Sequence, residues 1–221
     1  MNTPLYFLHG NGQSAACRPD GFLCDDLPGH GDSKWNFEEY NLNYMIKKYV
    51  ESIPRNSTVF AHSFSGHIAI NVALLRKDIT VICFGMVPLQ TPEDIGNLML
   101  VNKEFMNFQQ PSRSKSDIMN FIDLSSYNDP ETQKLLYNSA IKQDPEFNYH
   151  FFTTGLSGYD WSEVDKVQSL KSRFKLILSK NEVFYDFEKA SKLPIPLMLD
   201  NYKGHSPWLD NRQWCLNVLN R

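Results

Sequence analysis

The sequence has no long run of charge of either sign and no long apolar segment. Its 22 basic and 25 acidic side chains are interspersed, which argues against nucleic acid or an anionic membrane as a partner. The opening MNTPLYFLHG lacks a basic stretch followed by a long apolar one, and no later segment is apolar over the length of a membrane-spanning helix. These absences predict a cytoplasmic protein.

Cysteine is scarce and is not arranged as a metal site. The cysteines lie far apart, at Cys17, Cys24, Cys83 and Cys215. Such positions predict free thiols rather than metal ligands. Four histidines fall on separate predicted loops and on one predicted helix: His9, His30, His62 and His67. We therefore expect neither a metal nor an organic cofactor.

The apolar segments predict an α/β protein with a mostly parallel sheet flanked by helices. Strands are expected at 5–8, 21–24, 58–61, 79–86, 174–178 and 196–199. Helices are expected at 41–53, 66–75, 186–193 and 208–219. The order strand, helix, strand between 58 and 86 is typical of a parallel βαβ unit. At 221 residues, the whole chain 1–221 is expected to form one domain.

Residues 88–169 have a different character, because helical segments follow one another there without a convincing strand. They are expected at 95–108, 116–124 and 130–141. Asp129 supplies an N-cap for the third helix, and Pro130 is suited to its first position. We interpret 88–169 as a helical cap inserted after the strand that follows the second helix.

The segment Ala61-His62-Ser63-Phe64-Ser65-Gly66 lies between an apolar strand and an apolar helix. A nucleophilic serine on such a sharp turn needs small residues two positions before and two after it. Ser63 has Ala61 and Ser65 at those positions, whereas Ser65 as nucleophile would have the bulky His67. We predict that Ser63 is the nucleophile. The alternative is that the serine only caps the helix.

A serine hydroxyl needs a base to take its proton, and the base needs a third group to orient it. His205 follows the last predicted strand, and Glu182 follows the strand before it. The chain order of nucleophile, acid and base is then Ser63, Glu182, His205. Asp186 is the nearest alternative to Glu182, and the pair Glu93 and Asp94 is a more distant one.

Acyl transfer also needs backbone amides that stabilise the negative oxygen of the tetrahedral intermediate. We predict that the backbone amides of Phe64, which follows the nucleophile, and of Asn11, in the loop at 9–12, are these donors. The alternative is that the loop at 9–12 is only a glycine turn. The predicted substrate contacts are Trp208, Phe108 and Phe152. The cap aromatics among them either line an apolar acyl pocket or form the core of the cap.

Four segments together resemble the α/β-hydrolase superfamily: HGNG, DLPGHGDS, AHSFSGHIA and GHSPWLD. In the resemblance they correspond to the oxyanion loop, a loop of small cofactor-free acyl hydrolases, the nucleophile turn and the histidine loop. The pattern is similar to pimeloyl carrier-protein methyl ester esterases, to proline iminopeptidases and to a lyase of menaquinone synthesis. The resemblance implies the α/β-hydrolase fold and an activity that needs no cofactor.

The chain departs from this family at several points. In the resemblance it begins at what would be the third strand of the family, so we expect the usual first hairpin to be missing. Residues 12–21 are too few for the usual helix between the first two core strands, which predicts a less supported oxyanion loop. Ala61 and Ser65 stand where the family has glycines, and Glu182 stands where aspartate is commoner.

These features predict a serine hydrolase that cleaves a carboxylic ester or thioester of a small molecule through an acyl-Ser63 intermediate. Two alternatives remain: a lyase of the menaquinone type that uses the same three residues, and an inactive hydrolase-like binding protein. We expect a monomer or a homodimer without a nucleic-acid or membrane partner.

Overall fold

The computed structural model of the chain describes residues 3–34, 36–125, 129–211 and 213–220. Its sheet has five parallel strands in the order β1-β2-β3-β4-β5. Their bounds are β1 Leu5–Leu8, β2 Thr58–His62, β3 Thr80–Phe84, β4 Phe174–Ser179 and β5 Leu197–Asp200. The mostly parallel sheet predicted from the sequence is therefore confirmed.

The helices connect these strands and fill the segment between β3 and β4. They are α1 Leu42–Ser52, α2 Ser65–Leu75, α3 Asp94–Leu98, α4 Lys103–Phe108, α5 Lys115–Ser125, α6 Pro130–Ala140, α7 Pro145–His150, α8 Glu163–Leu170, α9 Phe187–Ala190, α10 Pro207–Asp210 and α11 Trp214–Leu219. No helix in the described ranges is long and apolar enough to cross a membrane.

Alternate residues of each strand supply the two cores on either side of the sheet. Leu8, Ala61 and Cys83 face α1, α2 and α8 in the larger core. The strand residues between them face α11 and the loops around it, in a core rich in aromatic side chains: Phe7, Phe60, Phe84, Trp208 and Trp214. Side chains on a strand alternate between its two faces, so each strand contributes to both cores.

The segment predicted as a second strand, 21–24, pairs at only one position. Leu23 forms a parallel bridge with Tyr6, and its neighbours do not extend the ladder. Gly21 has a φ of +82°, which lies outside the strand region, and the chain then turns at Pro28. The prediction of a strand at 21–24 is therefore wrong, although Leu23 remains beside the sheet.

Two predicted helices are each divided in the structure. The one expected at 95–108 is broken between α3 and α4, where Met99 pairs with Tyr185 and the Asn102 side chain accepts a hydrogen bond from the Phe105 amide at 2.8 Å. An asparagine cap starts a new helix at that point. The closing helix expected at 208–219 is divided into α10 and α11, and its residue 212 lies outside the described residues.

Candidate active site

Ser63 occupies the sharp turn between β2 and α2. Its φ is +56°, a left-handed conformation that is uncommon for a residue with a side chain. The Ser63 amide donates a hydrogen bond to the Phe84 carbonyl at 2.9 Å, which ties the turn to β3. The Ser65 hydroxyl is buried and donates to the His9 carbonyl, so it is already engaged. Ser63, in contrast, borders a cavity that is lined mostly by apolar side chains.

His205 lies in the loop after β5, and its Nδ1 is 2.9 Å from Oε1 of Glu182 in the loop after β4. An ionised carboxylate can only accept hydrogen bonds, so Nδ1 carries the proton and Nε2 is the free nitrogen of the ring. Both side chains are almost fully buried, and the edge of the Phe184 ring packs on the imidazole. His205 borders the same cavity as Ser63.

Two of the other carboxylates considered from the sequence, Asp186 and Asp94, are engaged elsewhere. Asp186 accepts from the Lys189 amide at 3.2 Å and caps α9. Asp94 accepts from the amides of Gln90 and Thr91 at 2.8 and 3.0 Å, which closes the turn before α3. Of these carboxylates, Glu182 is the one that contacts His205.

Gln13, which the sequence did not single out, links the three loops of the site. Its Oε1 accepts from the Gly10 amide at 2.8 Å and lies 3.0 Å from Nδ1 of His62. Its Nε2 donates to the Ser206 hydroxyl at 3.0 Å. His62 in turn contacts the His205 carbonyl through Nε2 at 2.7 Å, and burial lowers the pKa of His62 well below its ordinary value. No sequence pattern distinguishes such a buried glutamine from an exposed loop glutamine.

The loop at 9–12 passes close to Ser63. A Cβ atom on Gly10 would lie 2.5 Å from His62 Nδ1 and 3.1 Å from Ser63 Cβ, so only glycine fits there. Within the described part of the chain, the backbone amides of Asn11 and Phe64 have no hydrogen-bond acceptor. They are therefore free to donate to an oxygen bound at Ser63.

The sequence predicted a poorly supported oxyanion loop, because the usual helix after it is missing. The structure differs, since the Asn11 side chain is held by cap residues on both sides. Its Oδ1 accepts from Nε2 of Gln143 at 2.5 Å, and its Nδ2 donates to Oε1 of Gln109 at 3.2 Å. Residues between β3 and β4 thus hold the loop at 9–12 through the side chain of Asn11.

The cavity beside Ser63 and His205 has a volume of about 530 Å³ and a mostly apolar wall. Of the three predicted substrate contacts, Phe152 lines it and is 44% exposed. Further cap side chains also line it: Phe105, Met106, Phe121, Phe151 and Trp161. Its size and lining are typical of a pocket for a small organic molecule.

The other two predicted substrate contacts lie in the core instead. Phe108 is fully buried and stacks on Phe121, with ring centroids 4.2 Å apart. Trp208 is 1% exposed, packs on Phe7 and donates from Nε1 to the Cys17 carbonyl at 2.6 Å. Neither residue borders the cavity, and both are buried. They therefore have no surface available for contact with a molecule bound there.

A second histidine–carboxylate pair lies in the cavity wall, where α2 meets α8. His67 Nδ1 is 2.8 Å from Oε1 of the fully buried Glu163, which also accepts from the Leu89 amide at 2.9 Å and from the Tyr159 hydroxyl. These bonds join α8 and the segment before it to α2. Among the described residues, no three His, Cys, Asp or Glu side chains are grouped so that they could hold a metal ion.

Comparison with known proteins identifies the fold. No protein-family model and no curated protein sequence matches the chain. Solved structures match over its whole length. The esterases and the lactonase among them share the parallel sheet and flanking helices described above. The chain therefore has the α/β-hydrolase fold, which confirms the resemblance found in the sequence at the level of the fold.

Three of these structures illustrate the likeness. The N-acyl homoserine lactonase AidH, in complex with N-butanoyl homoserine, matches with a TM-score of 0.84 and 19% identity over 100% of this chain and 88% of its own. The esterase RhEst1 from Rhodococcus sp. ECU1013 gives 0.77 and 14% over 99% and 89%. The esterase EaEST from Exiguobacterium antarcticum gives 0.76 and 17% over 99% and 91%.

Proposed function

We propose that this protein is a serine hydrolase that cleaves a carboxylic ester or thioester of a small molecule through an acyl-Ser63 intermediate. The observation that carries the proposal is the 2.9 Å contact between Glu182 and His205, on a cavity that Ser63 also borders. That contact fixes the Nδ1 proton and leaves Nε2 as the nitrogen that can take a proton from serine. The esterases and the lactonase among the structural neighbours support an ester-cleaving activity.

In the acylation half of the reaction, Ser63 Oγ bonds to the ester carbonyl carbon while its proton passes to His205 Nε2. The carbonyl oxygen becomes negative and is stabilised by the amides of Asn11 and Phe64. The carbonyl re-forms, the bond to the leaving oxygen or sulfur breaks, and His205 gives its proton to that atom. Water then repeats these steps on the acyl-serine, which releases the acid and restores the Ser63 hydroxyl.

The left-handed turn at Ser63 and the close approach of Gly10 bring the nucleophile and the loop at 9–12 together. Preorganised donors lower the barrier because they need no rearrangement when the charge forms. The apolar wall contributed by Phe105, Phe121 and Phe152 suits the acyl part or the alcohol part of the substrate.

The lyase alternative fits this cavity poorly. A polyanionic substrate needs cationic side chains, but the described residues that line the cavity include no arginine and no lysine. The inactive binding protein remains as the alternative that the experiment must separate from an enzyme. It predicts a cavity that binds small molecules while Ser63 stays unreactive.

The test is labelling with a fluorophosphonate followed by intact-mass spectrometry. We expect one adduct on the wild-type protein, no adduct on Ser63→Ala, and an adduct on Ser65→Ala, because the Ser65 hydroxyl is buried against His9. The same proteins are then assayed on p-nitrophenyl esters, acyl thioesters and lactones. A wild-type protein that is neither labelled nor active would overturn the proposal and favour the binding role.

A further inference from the structure

Three side-chain carboxamides form a hydrogen-bonded chain that ends at the cavity wall. Gln143 Nε2 donates to Asn11 Oδ1 at 2.5 Å, and Asn11 Nδ2 donates to Gln109 Oε1 at 3.2 Å. Gln109 Nε2, the last nitrogen of the chain, is buried and has no partner among the described residues. Gln109 is only 8% exposed and borders the cavity that Ser63 also borders.

The direction of this chain is set by Arg113. A guanidinium group carries donors and no acceptor, so it must meet an oxygen. Arg113 Nη2 donates to Gln143 Oε1 at 3.3 Å and to the Gln143 carbonyl at 3.0 Å. Gln143 therefore turns its Nε2 towards Asn11, which accepts through Oδ1 and presents Nδ2 to the next residue. Gln109 must accept that bond through Oε1, and its Nε2 donor therefore has no acceptor among these side chains.

His30 supports the same direction for Gln143, although its Nε2 also lies 3.4 Å from Asn11 Oδ1. Its Nδ1 lies 3.0 Å from the Pro28 carbonyl, which can only accept, so this nitrogen carries the proton. Burial lowers the pKa of His30 well below its ordinary value, which keeps the ring neutral and its Nε2 an acceptor. Gln143 Nε2 lies 3.0 Å from that acceptor, as the chain requires.

A buried donor without a partner is rare in folded proteins, because it has lost its hydrogen bonds to water. Gln109 cannot relieve this by exchanging its oxygen and nitrogen, since Nε2 would then face the Asn11 Nδ2 donor. The remaining partner is an acceptor atom of a molecule in the cavity. Gln109 directly follows α4 and borders the cavity, so a molecule bound there lies next to this residue.

We propose that Gln109 Nε2 donates a hydrogen bond to a second oxygen of the substrate, apart from the reacting ester carbonyl. The preferred substrates are esters whose acyl or alcohol part carries a ketone, ether or amide oxygen within an otherwise apolar group. Gln109 is then a specificity-determining residue, and Gln143 and Arg113 are positioning residues that aim its donor. This inference rests on the proposed ester hydrolysis.

The test uses p-nitrophenyl hexanoate and a series in which a ketone or ether oxygen replaces one methylene at each chain position. A second series places the oxygen in the alcohol part of hexanoate esters. The variant is Gln109→Met, which keeps the length of the side chain without its polar atoms. The matched control is Gln110→Met, because Gln110 also borders the cavity but its Nε2 already donates to the Met106 carbonyl at 3.4 Å.

We expect the wild-type enzyme to prefer one oxygen-containing ester over its all-carbon counterpart, and Gln109→Met to lose this preference by about tenfold, mainly through KM. Because Gln109→Met also removes the acceptor of Asn11 Nδ2, the readout is the ratio of kcat/KM between the oxygen-containing ester and its all-carbon counterpart, and Gln110→Met keeps the wild-type ratio. Gln109→Glu keeps the acceptor for Asn11 but places a second acceptor at the cavity, so it lowers kcat/KM for the oxygen-containing ester further. This variant tests the proposal even if the methionine variant folds poorly.

Each other outcome has a definite meaning. An equal fall in kcat on all esters for Gln109→Met would overturn the proposal, since it would assign the residue to the reacting carbonyl or to loop support. Active enzymes that show no dependence on residue 109 would overturn it while leaving ester hydrolysis intact. A wild-type protein that cleaves none of the esters would overturn the proposed function, and this inference with it.

Discussion

His205 Nδ1 lies 2.9 Å from Glu182 Oε1, while the other oxygen of that carboxylate, Oε2, is buried without a hydrogen-bond partner among the described residues. Oε1 also accepts from the amides of Val183 and Phe184, at 2.8 and 3.3 Å. The orientation of the imidazole therefore depends on a single oxygen atom, which is itself fixed by the backbone.

Replacement of Glu182 by glutamine removes the negative charge and places an NH₂ group at one of the two oxygen positions. We expect kcat on a p-nitrophenyl ester to fall by about 10⁴-fold, because the imidazolium is no longer stabilised and the wrong ring nitrogen is protonated. Glu188→Gln, on an exposed carboxylate of α9, serves as the control and stays active. Full activity of Glu182→Gln would exclude Glu182 as the orienting acid.

The left-handed backbone at Ser63 predicts a difference between two inactive variants. A side chain in this conformation costs about 1 kcal/mol or more relative to glycine. Ser63→Gly should therefore be more stable than Ser63→Ala by about that amount in urea unfolding, although neither reacts with a fluorophosphonate. Equal stability of the two variants would show that the turn relaxes to a common conformation when the serine is lost.

Gly10→Ala introduces a methyl group 2.5 Å from His62 Nδ1. Since the loop must move to make room, we expect the free energy of unfolding to fall by about 1–3 kcal/mol. Turnover should fall by about a hundredfold or more, because the oxyanion amide moves with the loop. The control is Gly96→Ala in α3, where the added Cβ meets no atom within 4 Å. If both variants have wild-type kcat, the loop at 9–12 does not position a catalytic donor.

Three buried histidines predict that the protein loses stability in mild acid. Burial lowers the pKa of His9 from its ordinary 6.5 to about 4, and it lowers those of His30 and His62 as well. Below pH 6.5 the unfolded chain therefore binds protons that the folded chain does not. The free energy of unfolding should decrease as the pH falls from 6.5 towards 4, by about 1.4 kcal/mol per pH unit for each histidine.

Urea unfolding across this pH range measures that slope. His9→Gln keeps an acceptor for the Leu27 amide, which donates to His9 Nε2 at 3.0 Å, but it removes the titrating ring. The slope should then fall by about one third relative to wild type. His150→Gln, at a side chain that reaches the surface, is the matched control. An unchanged slope in His9→Gln would show that this histidine titrates alike in both states.

The sheet could be predicted from sequence because β1 to β4 are mostly buried and read as largely apolar segments, whereas the edge strand β5 is more exposed. Residues 174–178 are an example, and β4 there spans Phe174–Ser179. The segment at 21–24 has the same appearance, but its backbone is set by the φ of Gly21, which no hydrophobic pattern reveals. α7 was missed even though Asp144 and Pro145 give it the same start signal that located α6.

Of the candidate site, the sequence could supply the residues whose positions at strand ends are fixed by the topology, namely Ser63, Glu182 and His205. Their catalytic roles stay predictions until the variants are assayed. The roles of Gln13, Gln109 and Gln143 depend on burial and on contacts across 49 to 132 positions of the chain, which spacing does not encode. For the same reason, Trp208 beside the histidine loop could not be recognised as a core residue.

The aromatic core on the second face of the sheet is closed by Trp208, Trp214 and Val218, which follow all five strands in the chain. During synthesis on the ribosome, Phe7, Phe60 and Phe84 therefore emerge long before the residues that cover them. Until α11 has left the exit tunnel, we expect the nascent chain to keep this aromatic surface uncovered, which favours aggregation. The last helices are then the part of the chain whose synthesis ends that exposure.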